Sequence, residues 1–143
     1  MTDTAGYSGT PLHRKLGVKP GHRVLALAVP PGWDAAVLSP DGAADVETTA
    51  APAPPPGDPR DVVLLFCPDT AALTAGLPAA MAATTTAGRC WVVWPKKSST
   101  AFVDLTEDGV RAAALPVGWV DVKVCAVDTT WSGLCLVRRK ENR

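Results

Sequence analysis

A chain of 143 residues is the length of one domain and is large enough to bury a core. Its 14 Lys and Arg balance 14 Asp and Glu, so the formal net charge is zero, which removes the electrostatic case for nucleic acid or an anionic membrane as partner. Met1-Thr2-Asp3-Thr4 shows no basic segment leading into an apolar run, and Val24 to Val29 falls far short of the roughly 20 apolar residues of a membrane span, so a soluble cytoplasmic protein is expected.

In chain order, Gly6-Tyr7-Ser8-Gly9 reads as a flexible lead within residues 1–9. Thr10 as N-cap with Pro11 at the first helical position predicts a short helix, Leu12 and Leu16 sharing a face and Gly17 stopping it. Lys19-Pro20-Gly21-His22 is a turn. Arg23 to Val29 is a first strand, apolar enough to be buried on both faces. Pro30-Pro31-Gly32-Trp33 ends it, Asp34 to Leu38 makes a turn or two of helix, and Asp45 to Thr49 is a short second strand. Ala51 to Pro59 is too rich in proline for helix or central strand and reads as an exposed loop within the domain.

Asp61 to Cys67 is a third buried strand. Pro68-Asp69-Thr70 opens a helical region with Leu73, Leu77 and Met81 four apart, which Pro78 is expected to divide in two and Gly88 to close. Cys90-Trp91-Val92-Val93-Trp94 then forms a strand buried on both faces, ending at the polar, cationic lip Pro95-Lys96-Lys97-Ser98-Ser99. Asp104-Leu105-Thr106-Glu107 reads as a capping box for a helix through Ala114, ended by Pro116-Val117-Gly118. Trp119 to Val127 alternates, with Val120, Val122, Val124 and Ala126 on one face and Asp121, Lys123 and Cys125 on the other. A turn at Thr129 to Gly133 and a return over Leu134 to Val137 complete a β-hairpin, and residues 139–143 are a charged, solvated tail.

Strands alternating with helices define one α/β domain over residues 10–138: a Rossmann-like, mostly parallel sheet with helices on both faces and a C-terminal antiparallel hairpin. The closing helix and hairpin resemble the catalytic domain of Rossmann-like methyltransferases in a degenerate form, which implies the strand order second, first, third, fourth, last, next-to-last. Gly6-Tyr7-Ser8-Gly9-Thr10-Pro11-Leu12, Lys15-Leu16-Gly17, Trp94-Pro95-Lys96-Lys97-Ser98, Asp104 to Asp108, Val120 to Asp128 and Thr130-Trp131-Ser132-Gly133-Leu134 together resemble a domain-of-unknown-function family of small proteins from high-GC bacteria. That resemblance spans about Gly6 to Arg138, implies a Rossmann-like domain, and carries no chemistry with it.

Cys67, Cys90, Cys125 and Cys135 form no C-x-x-C pair and sit in strand-like runs, so buried thiols are expected, with Cys125 and Cys135 able to meet across the hairpin. In an open α/β sheet ligands bind outside the carboxyl ends of the parallel strands. That rule gathers Trp33, Asp34, Asp69, Lys96, Lys97, Ser98, Asp128, Trp131 and Ser132 on one rim, with two lysines for an anion and two indoles for stacking. Trp91 and Trp94 belong to the core.

The turn after the first strand decides the expected function. A methyltransferase needs bare glycine backbone there to approach S-adenosylmethionine, whereas this chain has two prolines and Trp33, with Glu47 as a loose candidate for the acid that holds the ribose. The expectation is therefore no cofactor, S-adenosylmethionine being disfavoured, and a non-catalytic domain that binds a small anionic ligand or a protein partner. A divergent S-adenosylmethionine-dependent methyltransferase is the alternative. A third reading gives Lys96 a base's role beside Asp34, Asp69 or Asp128. His13 and His22 fall outside the rim, no Ser-His-Asp spacing, metal-ligand cluster or phosphate loop stands out, and the strand near Trp119 to Val127 offers an edge for a homodimer.

Overall fold

The computed structural model describes residues 10–143; the flexible lead expected over 1–9 lies outside them. Six strands, β1 (Arg23–Leu27), β2 (Asp45–Thr48), β3 (Arg60–Phe66), β4 (Thr84–Pro95), β5 (Trp119–Ala126) and β6 (Trp131–Arg138), form one sheet in the order β2-β1-β3-β4-β6-β5. β2, β1, β3 and β4 run parallel, and β6 enters antiparallel to both β4 and β5. This is the strand order that the resemblance to Rossmann-like methyltransferases implied. No helix among the described residues is long and apolar enough to cross a membrane.

The apolar runs alternate between two cores because successive strand side chains point to opposite faces. Leu25, Leu27, Val63, Leu65, Val92 and Trp94 face α2 (Thr70–Ala82) and α3 (Glu107–Ala114), which contribute Leu73, Leu77, Val110 and Ala114. Val24, Ala26, Leu64, Phe66, Trp91 and Val93 face the other way, where the cover is thin: α1 (Leu12–Lys15) and a 3-10 turn at Ala35–Leu38. Trp91 compensates for the missing helix. Its fully buried indole donates Nε1–H to the carbonyl of Leu16 at 2.9 Å, fastening the segment after α1 across the sheet. Gly133 on β6 makes room, since a Cβ there would stand 3.1 Å from Cε3 of Trp91.

Several local expectations change. The helix over Thr70–Ala82 is continuous through Pro78, which has no N–H for the Thr74 carbonyl one turn earlier, and both residues are exposed. Gly88 closes no helix: it lies inside β4, where a Cβ would come within 2.7 Å of the Asp61 carbonyl oxygen. α1 starts one residue late, with Pro11 at its N-cap and no side-chain cap. Thr106 alone caps α3, by accepting from the Gly109 N–H, while Asp104 accepts from the N–H and hydroxyl of Thr70 at 2.9 and 3.0 Å.

On β5 the regular alternation fails because the register shifts between Asp121 and Lys123, leaving Val122 as an extra residue, 57% exposed. Asp121 consequently reaches Arg111 of α3 at 2.8 Å, whereas Lys123 reaches the carbonyl of Lys15 near α1 at 3.0 Å. The terminal residues do not float: Arg138 stacks over Trp119 at 4.5 Å and donates to the carbonyls of Thr85 and Thr84, and Asn142 donates to Gly118. Cys125 stands opposite Gly133 and Cys135 opposite Lys123, so the two are diagonal, and all four thiols are free.

Gly88→Ala is expected to lower the unfolding free energy by about 1–3 kcal/mol through overpacking against β3, read as a lower urea midpoint at unchanged slope. Arg111, bonded to Asp121, Asp108 and Glu107, holds the Asp121 carboxyl below the usual carboxylate range. A depressed folded-state affinity for protons stabilises at neutral pH and is lost as pH falls through the lowered value, so the stability gap between wild type and Arg111→Met should narrow from about pH 5 to about pH 2 in urea titrations.

Candidate functional site

The carboxyl edge of the parallel strands begins where β1 stops, two residues sooner than the apolar run suggests. Ala28 takes φ +56°, the one non-glycine residue in the left-handed region among the described residues, and its N–H and that of Val29 turn to the carbonyls of Ala51 and Thr49. An alanine in that region carries a conformational cost that glycine would not. The chain then passes Pro30 and Pro31, which have no N–H to offer, and Gly32 at φ +79° aims Trp33 back over the sheet.

Trp33 meets Phe66, the last residue of β3, edge to face at 5.0 Å, and Phe66 meets Trp131, the first residue of β6, at 5.2 Å and 84°. Such pairings align ring edges with π faces. The indole of Trp33 donates Nε1–H to Oδ2 of Asp128 at 3.1 Å, and Oδ1 of Asp128 accepts from the N–H groups of Thr130 and Trp131 at 2.8 Å each. One carboxylate thus sets both the hairpin turn and one wall of rings, while both tryptophans stay half-buried. The Lys96 N–H bonds the Thr130 carbonyl at 2.8 Å, joining the lysine lip to that turn.

Of the residues expected on the rim, Trp33, Asp128, Trp131 and the Lys96 backbone are therefore assembled, and Ser132 sits beside them, paired with Trp94 in the β4–β6 ladder. Lys97 and Ser98 are exposed in the turn from Lys96 to Ser99, and neither lysine forms an ion pair among the described residues. Asp34 and Asp69 are occupied differently. Each caps a helical segment, accepting from the N–H of Ala36 at 3.0 Å and of Ala72 at 2.8 Å, so neither is a base beside Lys96.

Glu47 does not face the rim either: Oε1 accepts from Nη2 of Arg60 at 2.6 Å, drawn toward the start of β3. Arg60, only 3% exposed, also donates to the Pro55 carbonyl, so this buried guanidinium ties the proline-rich loop to β2. Sequence reading missed Phe66 as the ring joining the two tryptophans, because the last apolar residue of a buried strand looks like core. Its place next to Cys67-Pro68, at the strand's exit, was the available signal. Burial pushes the thiols of Cys67, Cys90 and Cys135 up to about 12 and raises that of Cys125, so none serves as a nucleophile near neutral pH.

No protein-family model matches the chain, and no curated protein does. Solved structures do match. The N-methyltransferase NodS from Bradyrhizobium japonicum WM9 superposes with a TM-score of 0.61 at 9% identity, over 90% of this chain and 93% of that one. The magnesium protoporphyrin IX methyltransferase ChlM from Synechocystis PCC 6803, solved with bound S-adenosylmethionine, gives 0.59 at 13% identity over 84% and 71%. The O-methyltransferase NcsB1 from neocarzinostatin biosynthesis, in complex with S-adenosyl-L-homocysteine and 1,4-dihydroxy-2-naphthoic acid, gives 0.62 at 13% over 94% and 54%. At these identities the likeness is one of fold. These three neighbours are methyltransferases, two of them solved with S-adenosylmethionine or S-adenosyl-L-homocysteine, and against them the expectation of a non-catalytic domain without a cofactor is not kept.

Alkylation of the folded protein with iodoacetamide near pH 8 is expected to be slow at all four cysteines, with partly exposed Cys125 modified first and Cys67, Cys90 and Cys135 only on unfolding; mass spectrometry of the digested protein reads the order.

Proposed function

We propose that the chain is a methyltransferase-type domain that takes S-adenosylmethionine at the carboxyl edge of its sheet. The observation that carries this reading is the antiparallel entry of β6 between β4 and β5, in a sheet whose order matches methyltransferases along nearly the whole of NodS. The residues at this edge fit the cofactor by a route that differs from a glycine loop. Pro30 and Pro31 have no donors, and the N–H groups of Ala28 and Val29 are already bonded, so recognition falls to side chains.

The π surfaces of Trp33 and Trp131 suit the adenine ring, and Asp128 holds the Trp33 indole in orientation by accepting its N–H. The ammonium groups of Lys96 and Lys97, which form no ion pair among the described residues, suit the methionine carboxylate. When bound, the cofactor supplies a methyl group activated by a sulfonium. The chain's own part is to stack and orient that group, and to keep the nearby Cys67 thiol, buried and protonated, from competing for it.

The test is calorimetric and thermal-shift titration with S-adenosylmethionine and S-adenosylhomocysteine. Either ligand at about 100 times its Kd should stabilise the fold by about 2.7 kcal/mol. Lys96→Ala and Trp131→Ala should each weaken binding on the order of tenfold, about 1.4 kcal/mol. Absence of any stabilisation by either compound at millimolar concentration would overturn the proposal.

A further inference from the structure

At the opposite, amino edge of the sheet a cavity of about 310 Å³ opens between α1 and the loop that leads into β2, a volume within the range of small-molecule sites. Its walls are fixed by backbone bonds from Gly21 to the Ala43 carbonyl and from Asp45 to the His22 carbonyl, both 2.8 Å. Arg14 and Lys19 line it and form no ion pair among the described residues. Asp41 shares the lining, and its Oδ1 accepts from the Ala43 N–H at 3.1 Å and the Ser39 hydroxyl at 3.4 Å. Nδ1 of His13, also in the lining, is buried without a hydrogen-bond partner.

An unsatisfied buried ring nitrogen is costly unless something completes it. A simple anion does not: it would meet Arg14 and Lys19 but also the Asp41 carboxylate, which the Ala43 N–H above all, and the Ser39 hydroxyl with it, hold below the usual carboxylate range. A simple cation has the reverse difficulty. A molecule bearing both charges a few bonds apart satisfies every group at once.

We propose that this cavity binds a small zwitterion of the free α-amino-acid type, its carboxylate taken by Arg14 and Lys19 and its ammonium by Asp41 and Nδ1 of His13. The site is separate from the carboxyl edge and stands whether or not that edge takes a cofactor.

Amide NMR of the full chain tests it, with the twenty common amino acids, acetate, methylamine, inorganic phosphate and S-adenosylmethionine each added to about 10 mM. At least one amino acid is expected to shift the amides of His13, Gly17, Lys19 and Ala43 with a Kd near or below about 1 mM, with acetate, methylamine and phosphate at least about tenfold weaker. Arg14→Ala, an exposed substitution, should weaken that binding about tenfold at unchanged Tm, and Asp41→Asn should do the same. The proposal is overturned if no amino acid shifts these amides, if acetate or phosphate binds as tightly as the best amino acid, if Arg14→Ala leaves the affinity intact, or if the shifts gather around Trp33 and Trp131 instead.

Discussion

The fold depends on one large side chain at the centre of its thinly covered face. A doubly wound sheet needs apolar cover on both sides, and here α2 and α3 supply it on one side only. On the other, four residues of helix and a single 3-10 turn are too short to span the strands. Trp91 bridges the deficit by lying across β6 where Gly133 has no side chain, and its indole N–H fixes the backbone of Leu16 over the sheet. Burial and hydrogen bonding act together here, because a buried indole without an acceptor would forfeit part of what its area gains. Leu16, Leu38 and the ring of Phe66 then pack around an already positioned centre.

The two edges of the sheet carry different chemistry for reasons that begin in the backbone. At the carboxyl edge the left-handed Ala28, two prolines and Gly32 reverse the chain and present an indole, so rings occupy ground that bare backbone holds in a glycine-rich turn. The acids near that edge are mostly committed to the backbone: Asp34 and Asp69 to caps, Asp128 to its turn and the Trp33 indole. The lysines remain available, which leaves recognition at this edge to stacking and to cations. At the amino edge the balance differs, with two cations and a carboxylate lining one small cavity.

Much of this was legible in the order of residues. The α/β class follows from alternating elements and the strand order from the resemblance that the closing helix and hairpin carry, while the buried runs at Val62 to Phe66 and Cys90 to Trp94 could be little else. Local chemistry misled where a rule had an exception that only packing reveals. Pro78 breaks helices in general, yet on an exposed face a lost bond is made good by water; Gly88 looks like a helix stop until the Asp61 carbonyl beside it explains its missing side chain. Asp34, Asp69 and Asp104 were read for chemistry or for the wrong cap, because a capping carboxylate and a functional one are written with the same letter. Glu47 was placed near the rim by its strand, but its partner Arg60 lies across a proline-rich loop, a contact no spacing rule announces. The function inferred from prolines alone gave too much weight to one turn and too little to the whole topology.

The place of β6 also dictates how a growing chain can assemble. β5 is made first but pairs with no strand except β6, and β4 exposes the apolar edge of Cys90 to Trp94 until β6 covers it. While the nascent chain stops short of residue 131, then, the parallel half of the sheet stands with an open flank, the kind of edge that recruits other chains. Local closure of the β5–β6 hairpin is the faster event, since its partners are near neighbours in sequence. Its docking onto β4 both seals the flank and adds the last third of the strands.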